Sequence, residues 1–324
     1  MDSSGATHSR RPLSMEREKV GSGSAILYCG AFLLSAVGKL YTLYAMKYYN
    51  NNIYPLPATT LVAWAEVLKL ITMVTIMLLQ GNLFQTRFSV YFALPAVLYG
   101  STNNINVYAL HYTSPPVWAV LIQMRLIFAA LTYRWIFKRS ITKIQWLALV
   151  LLIGGIVVTK STGDTLKGNY IHPAAIALAA IKSLLCVAAA ILTEFLFKND
   201  HRSFIEQQMQ LYFFGAVVTS CFSAVELRTS STSWPLFHAS THGTAVVFLL
   251  VLYLLFSVIT GCVVAIVIKK LDNIVKLYVG VLSILITTFI SSVFFSGVFK
   301  ISAQFVVGFL LVCEAIFLYE KPSL

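Results

Sequence analysis

One stretch of the 324-residue chain sets a full charge where its neighbours exclude water. Pro116–Phe128 reads PVWAVLIQMRLIF, and Arg125 stands near the middle of an apolar run from Val117 to Trp135 that is long enough to span a bilayer. A guanidinium at that depth is costly unless it is paired or wet, so a cation inside a span marks a functional site by default. A second apolar run, Ile274–Phe295, carries Lys276 near its start. Two such cations facing one central cavity would hold an anion. No other chemistry has residues to stand on. The chain shows no nucleophile–base–orienter set and no Gly-rich phosphate loop, and His111, His172, His201 and His238 share no spacing. Cys29, Cys186, Cys221, Cys262 and Cys313 are scattered through apolar runs and read as small buried residues. Catalytic residues, metal ligands and cofactors are therefore not expected, and the chain does not read as an enzyme.

Further polar residues fall inside apolar runs. Glu66 and Lys69 are three apart and share a helix face, as an internal neutralising pair or as a gate. Asn103 and Asn104 need hydrogen-bond partners in mid-membrane and either line a cavity or tie helices together. Trp118 lies seven residues before Arg125, two turns along the same face of a regular helix. An aromatic plate and a cation on one face suit a base and a phosphate; a tryptophan of the interfacial belt is the competing reading. Gln123 is offset from that face and is expected to contact a neighbouring helix. Gln208 and Tyr212 are four apart, on one face that a polar ligand could meet or at a helix end emerging into water. Lys182 sits well inside its run without an assigned role. Lys276 could instead snorkel to the membrane surface, or pair with Asp272.

The elements that must position these groups are membrane helices. The chain is 58% hydrophobic and only 11% charged, with a mean hydropathy of +0.79, whereas soluble domains carry about 25% charged residues. Ten apolar segments of spanning length run roughly over 25–47, 57–80, 89–110, 115–137, 144–161, 173–196, 209–226, 246–268, 274–296 and 301–319. The longest connection, Leu227–Gly243, is rich in Ser and Thr. The net charge of +12 lies mostly on one side: of the 24 Lys and Arg, fourteen fall on the side of the basic tail, five on the other and five within the spans. That bias puts both termini in the cytosol, as an even number of spans requires. The charge is thus a topological signal rather than a nucleic-acid one. Ile144–Leu152 echoes Ala303–Leu311, so spans four and five look like spans nine and ten. An odd unit of five spans used twice must insert in opposite orientations, the inverted repeat of secondary transporters with the site between the halves. The expectation is an all-α membrane protein: a disordered basic tail over 1–24, then a ten-helix domain over 25–324 with repeats at about 25–161 and 173–319.

The motifs carry a resemblance. Ala65-Glu-Val-Leu-Lys-Leu70, Asn103-Asn104 before Ala109-Leu110, Gln123-Met-Arg-Leu126, Ile141-Thr-Lys-Ile-Gln-Trp146, Gln207-Gln-Met-Gln-Leu-Tyr212 and, most specific, Lys269-Lys-Leu-Asp-Asn-Ile-Val-Lys276 are similar to motifs of the nucleotide-sugar transporters. The likeness is strongest to the branch with the CMP-sialic acid, UDP-galactose and UDP-N-acetylglucosamine carriers, within the drug/metabolite transporter fold. The resemblance implies an antiporter that carries a nucleotide sugar from the cytosol into the Golgi lumen in exchange for a nucleoside monophosphate. It makes Arg125 and Lys276 the phosphate contacts, and Trp118, Asn103, Asn104, Gln123, Gln208, Tyr212 and Asn273 further substrate-binding residues. Arg125 stands where the branch has lysine, Trp118 where it has tyrosine, Gln208 where it has asparagine, and Ala265 where it often has serine. These substitutions read as a retuned site. The implied partners are the nucleotide sugar, the monophosphate and the lipid bilayer; a homodimer is compatible with the sequence. A carrier of another phosphorylated or anionic metabolite, a non-transporting scaffold that keeps the fold, and an ER rather than Golgi membrane are the alternatives.

Overall fold

The computed structural model describes residues 22–81, 88–136, 141–160, 172–200, 202–229, 243–270, 273–295 and 301–320. The basic tail up to 21, most of the Ser/Thr-rich connection, Asp272, and the side chains of Ala265, Asn273 and Lys276 lie outside the described residues. Every regular segment among the described residues is helical. In order these are α1 (Ser22–Tyr48), α2 (Ala58–Leu79), α3 (Ala93–Ala109), α4 (Pro115–Leu121), α5 (Arg125–Ile136), α6 (Lys143–Lys160), α7 (Pro173–Asn199), α8 (Phe204–Thr229), α9 (Thr244–Lys270), α10 (Asn273–Phe294) and α11 (Ala303–Glu320).

The breaks between helices have local causes. Asn51 and Asn52 take left-handed backbone angles (φ 54° and 62°) in the turn after α1, a conformation that asparagine tolerates better than most residues. Gly81 (φ 70°) closes the end of α2. Prolines open α4 and α7, where their missing N–H costs no helical hydrogen bond; before α7, His172 accepts from the N–H of Ala174 at 3.2 Å.

Six helical stretches are long and apolar enough to cross a membrane by length and composition: Ile26–Tyr48, Ala58–Leu79, Pro115–Thr132, Pro173–Thr193, Phe204–Thr229 and Thr244–Val264. Shorter apolar helices cover Lys143–Thr159, Leu282–Phe294 and Ala303–Tyr319. α3 falls in neither group because it carries Ser101, Thr102, Asn103, Asn104 and Asn106 in one run. Large apolar side chains such as Ile26, Leu79, Val90, Phe248, Phe289 and Leu310 point outward, as a lipid-facing surface requires.

The helices pack in a recurring set of pairs. α6 lies against α11, α1 against α9, α3 against α7, and α2 against α8. α10 meets α4 and α1, α5 meets α7, α2 meets α9, and α3 meets α8. The α6–α11 contact is backbone to backbone. A Cβ on Gly155 would stand 2.8 Å from the carbonyl oxygen of Gly308, and one on Gly308 would stand 2.7 Å from that of Gly155. Small residues let membrane helices approach this closely.

The fourth apolar run is not one straight helix. Ile122–Met124 form a single 3₁₀ turn between α4 and α5, and Arg125 is the first residue of α5. A 3₁₀ turn loosens the i→i+4 carbonyl pattern. Here the carbonyl of Ile122 accepts from the backbone N–H of Arg125 and also from the hydroxyl of Ser183 on α7, at 3.5 Å. The 3₁₀ turn falls between Trp118 and Arg125, whose expected shared face assumed an unbroken helix.

Candidate functional site

Two groups of buried and half-buried polar side chains lie within the bundle. In the first, α2 brings Glu66 and Lys69 onto one face, and Lys69 Nζ donates to Glu66 Oε1 at 2.5 Å. Asn103 of α3 donates to the same oxygen at 2.9 Å. The ammonium of Lys69 lies 5.4 Å from the ring centroid of Tyr212 on α8. The other carboxylate oxygen faces Gly215, where a Cβ would stand 3.3 Å away, and Lys69 packs on Gly261 of α9. All of Glu66, Lys69 and Tyr212 are buried. This group is electrically closed: one carboxylate balances one ammonium, and an amide and a ring complete the shell.

The second group is built on α3, α4, α5 and α7. Trp118 is 1% exposed, and its indole N–H donates to Asn106 Oδ1 at 2.9 Å. Lys182 of α7 donates to that same oxygen. Its ammonium also stands 5.1 Å from the centroid of the Trp118 ring. Arg125 lies within electrostatic range of Lys182 and donates through Nη2 to Gln123 Oε1 at 3.4 Å. Gln123 in turn donates to the Ala119 carbonyl at 3.3 Å. On α10, a Cβ at Gly280 would stand 3.3 Å from Arg125 Nη2. Lys39 of α1 lies in the electrostatic range of Glu66, Lys69 and Lys182 and thus joins the two groups. Among the described residues neither Arg125, Lys182 nor Lys39 has a carboxylate partner within ion-pair distance, and Glu66 is committed to Lys69 and Asn103. Among the described residues the interior therefore carries more positive than negative charge.

α3 couples the groups, because Asn103 serves the first and Asn106, three residues on, serves the second. Between them Asn104 turns away and donates to the Gly100 carbonyl at 2.9 Å, while its buried Oδ1 takes no hydrogen bond among the described residues. The sequence-predicted residues are thus divided. Asn103 and Tyr212 fall in the closed group, Trp118, Gln123 and Arg125 in the open one, and Gln208 is buried on α8. Trp118 is no belt residue, since it is fully buried, and its ring already meets a cation. Gln123 bonds within its own span and to Arg125 rather than to a neighbouring helix. The side chains of Asn273 and Lys276 lie outside the described residues. Lys182, Asn106 and Lys39 are the additions; an intramembrane lysine was the available signal for two of them.

One end of the bundle, where α1, α3 and α8 finish and α2 begins, is tied together. Glu226 of α8 accepts from the N–H of Thr59 at 3.2 Å, from the Thr59 hydroxyl, and from the Tyr108 hydroxyl at 2.8 Å. Thr60 and Ser223 bond at 2.7 Å, and Lys47 donates to the Leu110 carbonyl at 3.0 Å. Nearby, between α3 and α4, burial and then the Lys47 charge push the His111 imidazole below its ordinary pKa. A groove of about 1000 Å³ on the flank between α2, α8 and α9 is lined by Thr60, Trp64, Ser223, Arg228 and Leu254 and by none of the interior cations.

Comparison with known proteins identifies the lineage. The profile of the nucleotide-sugar transporter family matches residues 27–320. The chain belongs to the nucleotide-sugar transporter family. Its relatives in that family include CMP-sialic acid transporter 2 of Oryza sativa subsp. indica, 29% identical over 250 residues (75% of this chain and 68% of the relative). The UDP-galactose translocator of Mus musculus is 28% identical over 283 residues (82% and 70%). In fold, the family member is similar to a protein of known crystal structure, with a TM-score of 0.58 and 15% identity, over 93% of this chain and 97% of the other.

Proposed function

We propose that this family member is an antiporter that carries a nucleotide sugar from the cytosol into the Golgi lumen in exchange for a nucleoside monophosphate. The observation that carries the reading is the set of interior cations without a carboxylate partner among the described residues, Arg125 foremost. Such charges call for an anionic ligand, and a nucleotide sugar brings phosphate. Lys276 joins Arg125 as the second phosphate contact. It lies one helical turn before Gly280 in α10, and Gly280 is the residue against which Arg125 rests.

The architecture behind this reading is ten spans in two inverted halves, α1 to α6 and α7 to α11, with α4 and α5 as the broken fourth span. Exchanging the halves turns the α1–α9 pair into α7–α3, the α1–α10 pair into α7–α5 and the α2–α9 pair into α8–α3, and leaves α2–α8, α4–α10 and α6–α11 unchanged. That symmetry supports alternating access by rocking of one half on the other. The Lys and Arg bias supports cytosolic termini. An empty carrier would hold mutually repelling cations, so crossing is favoured with a ligand bound, which is exchange.

Reconstituted protein in liposomes preloaded with UMP, CMP or GMP tests this directly. Trans-stimulated uptake of a labelled nucleotide sugar is the expected result, and its absence with every nucleotide would overturn the reading. Arg125→Ala and Lys276→Ala should each abolish exchange in protein that still folds. Unchanged exchange in both would remove the phosphate contacts.

A further inference from the structure

The open group contains more than one phosphate contact requires. Arg125 alone presents a planar fork that can bind one phosphate through two parallel hydrogen bonds. Lys182 is a separate charge on a different helix, and its present contacts are neutral. An ammonium has three donors; one reaches Asn106 Oδ1, which it shares with the indole of Trp118, and the ring face offers only a cation–π contact. The comparison with Lys69, which the fold supplies with a carboxylate at 2.5 Å, shows what a settled lysine in this bundle has. Lys182 stands within electrostatic range of Arg125, with Cys186, one turn along α7, in range of both. Asn106 and Trp118 hold Lys182 ready without neutralising it.

Building on the antiporter reading above, we propose that Lys182 binds a second phosphate that the exchanged monophosphate lacks, so that the cargo is a nucleoside diphosphate sugar. Arg125 then serves the phosphate common to both ligands, and Lys182 the one next to it in the diphosphate bridge. The bridge displaces the ammonium from Asn106 Oδ1, which keeps its bond from Trp118. A sugar linked through a single phosphodiester offers the second cation no phosphate.

The test measures binding by the purified full chain in detergent or nanodiscs. The ligands are UMP, UDP-galactose and UDP-N-acetylglucosamine, GMP and GDP-mannose, and CMP and CMP-sialic acid. Lys182→Gln should weaken the preferred diphosphate sugar by about tenfold more than the monophosphate of the same base, the order of one charge-assisted hydrogen bond. Lys182→Arg should restore most of the difference. Asn106→Asp, which neutralises Lys182 without deleting it, should reproduce the selective loss even if Lys182→Gln fails to fold. Equal weakening of monophosphate and diphosphate sugar, no weakening of either, or a wild-type preference for CMP-sialic acid would each overturn the assignment while leaving the antiporter standing. Wild-type protein that binds no nucleotide overturns the antiporter reading and this one with it.

Discussion

Lys69 and Lys182 sit in the same bundle, each beside an aromatic ring and each within a hydrogen bond of a side chain on another helix or turn. Lys69 is buried and has Glu66; Lys182 is half-buried and has only the amide oxygen of Asn106. The first arrangement is complete without a ligand. Its cost of desolvation is offset inside the protein, and removing one partner would expose the other to the full penalty. The second is incomplete, and its cation persists at a cost that a phosphate would relieve. Of the two lysines, one is neutralised within the fold, and the other is the one proposed to meet a phosphate.

Substitutions can break or sharpen that contrast. The largest effect is expected from Glu66→Gln, which strands Lys69 and should lower stability by about 3–5 kcal/mol in thermal or denaturant unfolding. Lys182→Gln should cost no stability or raise it slightly; equal losses in the two variants would erase the distinction. Gly280→Leu comes next. Its side chain would press on Arg125 Nη2 and on neighbouring packing at about 1–3 kcal/mol, with nucleotide affinity falling although no charge has changed. An unaltered affinity would show that Arg125 need not rest there. The smallest effect belongs to Trp118→Phe, which keeps a ring beside Lys182 but deletes the bond to Asn106, worth about 1 kcal/mol. A loss as large as that of Glu66→Gln would mean that Trp118 is a structural keystone instead.

The closed group was legible in the sequence because its central pair is local. Glu66 and Lys69 are three residues apart, and helical geometry alone brings them together. Arg125 was legible as a charge against its apolar surroundings. The open group was not, because its contacts join residues 106, 118, 125 and 182 from separate helices, and nothing in the spacing of those positions foretells that meeting. The 3₁₀ turn at Ile122–Met124 was equally hidden: no proline or glycine marks it, and the hydroxyl that adds to the Ile122 carbonyl comes from α7. The expected shared face of Trp118 and Arg125 was drawn for an unbroken helix and did not foresee that turn. The family relationship, by contrast, was carried by short motifs and emerged without any geometry.

The contact between Gly155 and Gly308 has a mechanical consequence. Each glycine's α-carbon lies against the other's carbonyl, so the two backbones have almost no room to slide along or press into each other. Rotation about the point of touch is the freedom that remains. A bundle that tilts about α6 and α11 would find its fulcrum there.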